Sequence, residues 1–175
     1  MNNELQELLQ KNNVDQDRFE TELYNVLVLS TFATLVKEID EAEAWDNVRE
    51  RYRTFPDHIH VTKLLITKYV GGHFHEREYE KFYRLMEAHL RKKGQRKPYP
   101  ESIRESLVEK QNRRCNICGR AISSSSSELD HVIPWSLVGD ELEDNLQMLC
   151  KTCNRRKSAT VTYALLSTFF DRSDQ

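Results

Sequence analysis

The segment LCKTCNRRKSA, residues 149–159, places a Cys-x-x-Cys pair directly before an asparagine and three cationic side chains. A second such pair, CNIC, lies at residues 115–118. Four thiolates in two close pairs suit the tetrahedral coordination of Zn²⁺. Because the cysteines would fill every position around the ion, the pattern predicts a structural zinc site, with disulfides and an iron–sulfur cluster as rival interpretations. The predicted ligands are Cys115, Cys118, Cys150 and Cys153.

The overall composition is typical of a polar globular protein. Of the 175 residues, 38% are hydrophobic and 31% are charged. No stretch approaches the roughly 18 apolar residues that a membrane span needs, and the N-terminus lacks the basic and apolar segments of a secretory signal. We therefore expect a cytoplasmic protein without a membrane partner, in which reduced thiols are available to a metal.

Charge is distributed unevenly along the chain. The formal net charge of −2 does not by itself indicate nucleic-acid binding. Residues 150–157, however, hold four cations and no anion, and residues 96–120 hold seven cations against three anions. An anionic partner is therefore expected to bind locally.

Residues 1–94 are predicted to form a helical domain of unassigned role. Apolar residues recur at helical spacing from Phe19 to Ile39, with Asp15 or Asp17 as the cap. The same periodicity predicts further helices over Trp45–Tyr52 and over about 62–70 and 76–93, with a linker at GQRKPYP, residues 94–100.

Residues 95–175 are predicted to form a second domain of mixed structure. A helix over about 101–111 opens it, and short strand-like pieces surround the cysteines. A final amphipathic helix is predicted over 158–171, with its apolar side chains in the core. Those side chains are Tyr163, Leu166, Phe169 and Phe170.

The segment between the cysteine pairs is too long for a plain zinc ribbon. Thirty-one residues separate Cys118 from Cys150, where roughly 15–20 are usual. This insertion contains ELDHVIPWS, residues 128–136, and EDNLQML, residues 143–149. It adds an adjacent Asp-His pair and an asparagine, which are groups suited to metal binding and proton transfer.

The order Cys-x-x-Cys, Glu-x-Asp-His-x-x-Pro, Asn-Leu-Gln-x-Leu-Cys-x-x-Cys-Asn-x-x-Lys resembles the HNH endonucleases with a four-cysteine zinc site. The resemblance covers residues 100–157, a third of the chain. It implies a small α+β, treble-clef-like ββα-metal nuclease domain after the helical region, so that the fold class is mainly α. It also implies cleavage of nucleic acid with one divalent ion, leaving 5′-phosphate and 3′-hydroxyl ends.

The resemblance also assigns roles within the insertion. His131 and Asn145 match the first two letters of the HNH name and are the predicted catalytic residues. Asp130 and Asn154 are the predicted ligands of a catalytic Mg²⁺ or Mn²⁺ ion. Asn154 stands where the family name has its final histidine, and this departure bears on the preferred metal.

The chemistry of these side chains agrees with the resemblance. A neutral histidine has a pKa near 6.5 and can take a proton from water. A divalent ion on Asp130 can neutralise charge on a phosphate and on the leaving oxygen. The Asn145 amide can fix the loop that aims His131. If the second cysteine pair opens a helix, Asn154 and Lys157 share one stripe with the cysteines.

Cations beside this site are predicted to bind the DNA backbone, with the DNA taken as double-stranded. Restriction or phage defence, mobile-element processing and phage DNA processing fit such an enzyme. Residues 1–94 are interpreted as a surface for a homodimer or a regulatory protein. The alternative function is a non-catalytic zinc module that binds nucleic acid or a protein. The predicted DNA contacts are Lys151, Arg155, Arg156, Lys157, Arg113, Arg114 and Arg120.

Two further histidine pairs, His58 with His60 and His73 with His75, fall outside this pattern. On an extended segment, alternate spacing would put both imidazoles of a pair on one side, where a metal could use them. No cysteine frame accompanies them, so a second site is the minor interpretation.

Overall fold

The computed structural model describes residues 3–142 and 144–169. These residues form nine α-helices and one two-stranded antiparallel sheet. None of the described helices is long and apolar enough to cross a membrane. The elements in chain order are α1 Asn3–Lys11, α2 Gln16–Glu41, α3 Trp45–Thr54, α4 His58–Tyr69, α5 Glu76–Arg91, α6 Glu101–Lys110, β1 Ser127–His131, α7 Trp135–Val138, β2 Leu146–Cys150, α8 Lys151–Lys157 and α9 Tyr163–Leu166.

The helix starts follow from local capping. Asp15 accepts a 2.7 Å hydrogen bond from the Arg18 amide at the start of α2, which confirms the predicted cap. Asp57 accepts from the His60 amide at 2.9 Å, so α4 begins at His58 rather than near residue 62. The predicted helices α3, α5 and α6 are confirmed.

The described chain divides into two compact units. The cysteine unit comprises residues 3–26, 97–134 and 144–169, and the helical unit comprises residues 27–96 and 135–142. Residues 3–26 therefore group with the C-terminal part, whereas the predicted boundary at residue 94 placed them in the helical domain. Within the cysteine unit, Arg18 donates a 3.2 Å hydrogen bond to the carbonyl of Ile117, and Phe19 packs edge-on against Phe169. The division into independently folding domains stays a prediction.

The helical unit has its own core. The side chains of α4 and α5 pack together, and Phe32, Phe82 and Met86 are fully buried. Burial of such side chains contributes roughly 1.5–3 kcal/mol each to folding. His89 stacks on Trp45 at a ring distance of 4.7 Å and donates from Nδ1 to the carbonyl of Leu137 at 2.6 Å.

The cysteine unit is built around β1 and β2. The two strands pair in register from Ser127 with Cys150 to His131 with Leu146. The prediction of a mainly helical N-terminal region followed by a ββα unit is confirmed. A small hydrophobic cluster joins α6, the sheet and the cysteines, and consists of Val108, Cys115, Ile117, Ile122, Met148, Leu149, Cys150, Cys153 and Tyr163.

The predicted single helix over 158–171 is wrong. Helix α8 ends at Lys157, because Ser158 adopts a left-handed φ of 46°. Helix α9 then begins at Tyr163 and passes into a 3₁₀ turn at Ser167–Phe169. Tyr163 is buried as predicted, whereas Leu166 is exposed. Phe170 lies outside the described residues.

Candidate metal centre and active site

The four cysteines lie together at the start of α8 and in the turn before β1. One sulfur from each lies within 4.8 Å of the other three, and the sulfurs of Cys118 and Cys150 are 3.9 Å apart. A tetrahedral ion with Zn–S bonds of about 2.3 Å requires sulfurs about 3.8 Å apart. Within residues 3–142 and 144–169 this is the only such group of metal-binding side chains. The donor set and its spacing fit a structural zinc ion.

The electrostatics of the cluster also call for a cation. Burial raises the pKa of the Cys153 thiol well above its usual range, and the neighbouring Cys115 adds to the rise. Burial raises the pKa of Cys118 as well, whereas at Cys115 backbone hydrogen bonds outweigh burial and lower the pKa. Four thiolates cannot crowd together without a counter-charge, and a divalent ion supplies it.

Asp130 is held from two sides. Gln147, its cross-strand neighbour, donates from Nε2 to Asp130 Oδ2 at 3.0 Å. The Lys157 ammonium lies 3.0 Å from the same oxygen. Asn116 in turn donates to Gln147 Oε1 at 2.8 Å, which fixes the orientation of that amide. These contacts occupy Oδ2 and leave Oδ1 of Asp130 as the oxygen that could take a metal.

Asn154 meets β1 through a carboxylate. It lies on α8 one turn before Lys157, and its Nδ2 donates to Glu128 Oε2 at 2.6 Å. Glu128 and Asp130 share one face of β1, since side chains alternate along a strand. The pairs Glu128–Asn154 and Asp130–Lys157 therefore bring the two predicted metal ligands to facing surfaces of β1 and α8.

His131 ends β1 and is buried. Strand alternation directs its side chain away from that of Asp130, although the two are consecutive. Its ring stands edge-on to Tyr99 with centroids 6.3 Å apart, and its carbonyl accepts a 2.7 Å hydrogen bond from the Lys157 ammonium. Helix α8 thus contacts the backbone of His131, which fixes the end of the strand from which the imidazole projects.

Asn145 acts on the loop that follows His131. Its Oδ1 accepts from the amide of Ile133 at 2.8 Å, and its Nδ2 donates to the carbonyl of Ile133 at 3.1 Å. Its backbone carbonyl accepts from Val132 at 2.9 Å. Both ends of the buried amide are used on the backbone of Ile133, so Asn145 fixes the loop that follows His131.

The predicted DNA contacts separate into two groups. Lys157 is 4% exposed and is engaged with Asp130 and His131, so its ammonium does not reach a DNA backbone. The prediction that Lys157 is a surface cation that contacts DNA is therefore corrected. Arg113 pairs with Glu109, and Arg114 donates to the Gly119 carbonyl. The exposed members of the set are Lys151, Arg155, Arg156, Arg113, Arg114 and Arg120.

His58 and His60 do not form the predicted extended arrangement, because both lie in a helix. His58 and His60 lie in the first turn of α4, where residues two apart point in different directions. The His58 ring packs between Tyr52 and Tyr83. His75 is the N-cap residue of α5.

Two polar residues of the site were not singled out from sequence. Glu128 could have been found, because it stands two residues before Asp130 in a strand and so shares its face. Gln147 could not, because its role depends on the register of β2 against β1.

Comparison with known proteins connects the region around the cysteines with one protein family. Residues 115–160 match the model of the HNH endonuclease family. Over 58 residues the chain is 38% identical to the CRISPR-associated endonuclease Cas9 of Corynebacterium diphtheriae. This match covers 33% of the chain and only 5% of that relative. No solved structure matches the chain significantly. Residues 115–160 are therefore an HNH endonuclease domain that carries a four-cysteine cluster.

Proposed function

We propose that the protein is a metal-dependent endonuclease that hydrolyses phosphodiester bonds in DNA. The observation that carries this proposal is the approach of α8 to β1, which joins Glu128 to Asn154 and Asp130 to Lys157 beside the buried His131. This arrangement lies within the HNH domain. It supplies oxygen donors, a base and exposed cations in one small region.

The donor set suits a hard divalent ion. Asp130 and Asn154 each offer a side-chain oxygen, and Mg²⁺ and Mn²⁺ prefer oxygen ligands. When bound, such an ion would neutralise charge on the phosphate and on the departing oxygen. The four cysteines would hold a separate structural zinc ion, which would fix α8 and so fix Asn154.

His131 serves as the general base. Its imidazole would take a proton from the attacking water, while an ion on Asp130 would neutralise charge on the phosphate and the leaving oxygen. Asn145 and the Lys157 contact to the His131 carbonyl hold the strand end in place.

The biological setting and the partner are also proposals. The exposed arginines of α8 give the domain a basic surface for a phosphate backbone. Restriction, phage defence or mobile-element processing would use such a nuclease, and residues 1–94 would hold a second copy or a regulatory protein.

A plasmid assay tests the proposal. The zinc-loaded protein is incubated with supercoiled DNA in metal-free buffer and then with Mg²⁺ or Mn²⁺. We expect metal-dependent nicking that falls by about 10²–10⁴-fold in His131→Ala. His60→Ala, an exposed histidine in the helical unit, is the matched control and should cut at the parental rate. DNA binding without cutting would instead favour a non-catalytic zinc module.

A further inference from the structure

Glu128 has no role in the reaction as proposed above, yet it makes a short contact inside the site. Its Oε2 accepts the 2.6 Å hydrogen bond from Asn154 Nδ2. We propose that Glu128 is a positioning residue that holds the Asn154 amide with its oxygen directed to the divalent cation. The inference rests on the proposed function, because it concerns the same cation site.

The chemistry of the pair determines which end of the amide faces Glu128. An ionised carboxylate only accepts hydrogen bonds, so the NH₂ group of Asn154 must face it. The amide oxygen then leaves on the opposite side, and no described residue donates to it. The two ends of an amide are nearly equal in size. Without Glu128, nothing in the pair would prevent the NH₂ group from turning toward the cation and repelling it.

Asp130 is oriented by the same principle. Lys157 and Gln147 occupy its Oδ2, as Glu128 occupies Nδ2 of Asn154. Each predicted ligand therefore has its non-coordinating atom fixed by a partner, and each keeps one oxygen for the cation. Glu128 and Asp130 are two residues apart and therefore share one face of β1. Asn154 and Lys157 are three residues apart and therefore share one face of α8.

The size of the effect follows from how partners of metal ligands act in general. Removing such a partner typically lowers metal affinity by about 10–100-fold, because the ligand loses its orientation. The hydrogen bond is charge-assisted, which suits its short length. A glutamine at position 128 would still accept from Asn154 through its own carbonyl. Leucine there would not.

The experiment measures Mn²⁺ binding rather than cleavage. All variants carry His131→Ala, so that a short DNA duplex can be present without being cut. Free Mn²⁺ is followed by electron paramagnetic resonance, after zinc content and circular dichroism have shown that each variant is folded. We expect Glu128→Leu to raise the Mn²⁺ dissociation constant about 10–100-fold and Glu128→Gln to leave it close to the parent's. Glu105→Leu, an exposed carboxylate on α6, is the matched control.

A double-mutant cycle separates positioning from a direct or purely electrostatic effect. If Glu128 acts through Asn154, adding Glu128→Leu to Asn154→Ala should produce little further loss. Fully additive losses of Mn²⁺ affinity in the double variant would overturn the positioning role. So would a Glu128→Gln variant that binds Mn²⁺ as weakly as Glu128→Leu does. Binding that depends on Asp130 but is unchanged in Glu128→Leu would overturn this inference alone. Binding in the parent that does not depend on Asp130 would overturn both this inference and the proposed metal site.

Discussion

Lys157 and Asp130 form an ion pair that is almost removed from solvent. The ammonium lies 3.0 Å from the carboxylate, and the two side chains are 5% and 16% exposed. The same ammonium donates to the carbonyl of His131 at 2.7 Å. One lysine of α8 thus holds both a proposed metal ligand and the backbone of the proposed base, in addition to joining α8 to β1.

Removing Lys157 should destabilise the protein most when no divalent ion is present. Lys157→Met leaves the Asp130 carboxylate without its counter-charge, which costs about 2–3 kcal/mol. Mg²⁺ should restore part of this loss by supplying a new charge. The measurement is urea unfolding of zinc-loaded protein in otherwise metal-free buffer, with and without Mg²⁺.

Lys110→Met is the matched control for this experiment. Lys110 pairs with Asp144 at 3.1 Å, but their side chains are 69% and 84% exposed. Such a pair contributes about 1 kcal/mol or less. Equal losses in the two variants would contradict the structural role of the buried pair.

Loss of the cysteine site should affect one unit and spare the other. Cys150→Ser is expected to lower zinc content and to make the cysteine unit sensitive to protease. The only tryptophans of the chain, Trp45 and Trp135, belong to the helical unit. Their fluorescence should therefore change little, and Thr152→Ser, an exposed site between the cysteines, should behave like the parent. Full zinc content and an intact protease-resistant unit in Cys150→Ser would contradict the assignment.

Acidification should destabilise the helical unit through His89. Burial lowers the pKa of His89 below its usual value near 6.5, and this outweighs the hydrogen bond to Leu137, which raises it. Lys92 and Arg49 also lower it, whereas Asp40 raises it. The unfolded chain therefore binds a proton at a higher pH than the folded chain does. Stability is fully present above about pH 6.5 and falls as the pH drops toward the lower folded pKa.

Tryptophan fluorescence can follow this titration directly, because Trp45 stacks on His89. The urea concentration at the unfolding midpoint should decrease as the pH is lowered from 7 to 5. The dependence of this midpoint on pH should be weaker in His89→Gln. His60→Gln replaces an exposed histidine of the same unit and should keep the parental slope. A His89→Gln slope equal to that of the parent would show that His89 does not couple folding to protons.

DNA affinity should depend on the exposed cations of α8. Neutralising Arg155 and Arg156 together should weaken binding to unrelated sequences. It should also reduce the salt dependence by about 0.9 for each phosphate contact that is lost. Arg49→Gln with Arg53→Gln removes two exposed cations of α3 and is the control. If both double variants keep the parental salt slope, the DNA surface lies elsewhere.

The predictions that succeeded rest on local chemistry. The cap at Asp15 depends on a neighbour three residues away, and the grouping of the cysteines depends on two tight turns. Asn145 could likewise be connected to the loop after His131, because its amide can both donate and accept.

The predictions that failed depend on packing between distant segments. Lys157 stands in a run of cations that is typical of a solvated helix face, although it shares the predicted stripe of Cys153 and Asn154, and α8 packs with that stripe against β1. Its partner Asp130 lies more than twenty residues away in the sequence. The end of α8 at Ser158 also follows from a backbone conformation that serine seldom adopts, which residue type alone does not indicate.

The identity of residue 154 should set the metal preference. Asn154 offers an amide oxygen, which suits Mg²⁺ and Mn²⁺. Histidine at this position would offer a softer nitrogen, and its other ring nitrogen could donate to Glu128 as the amide does now. Asn154→His should therefore remain active and shift its ranking toward Ni²⁺ and Co²⁺, which bind imidazole well.

The contact with Glu128 allows this prediction to be tested with single and paired substitutions at positions 154 and 128. Cleavage rates are measured for each variant across a titration of each metal, after zinc in the cysteine site has been verified. Asn154→Ala should lose metal-supported cleavage while it still binds DNA. Combining Asn154→His with Glu128→Leu should lose most of the activity that Asn154→His alone retains, because the imidazole would then have no partner to orient it. If Asn154→Ala cuts at the parental rate with the parental metal ranking, Asn154 is not a ligand, and its bond to Glu128 serves only to fasten α8 to β1.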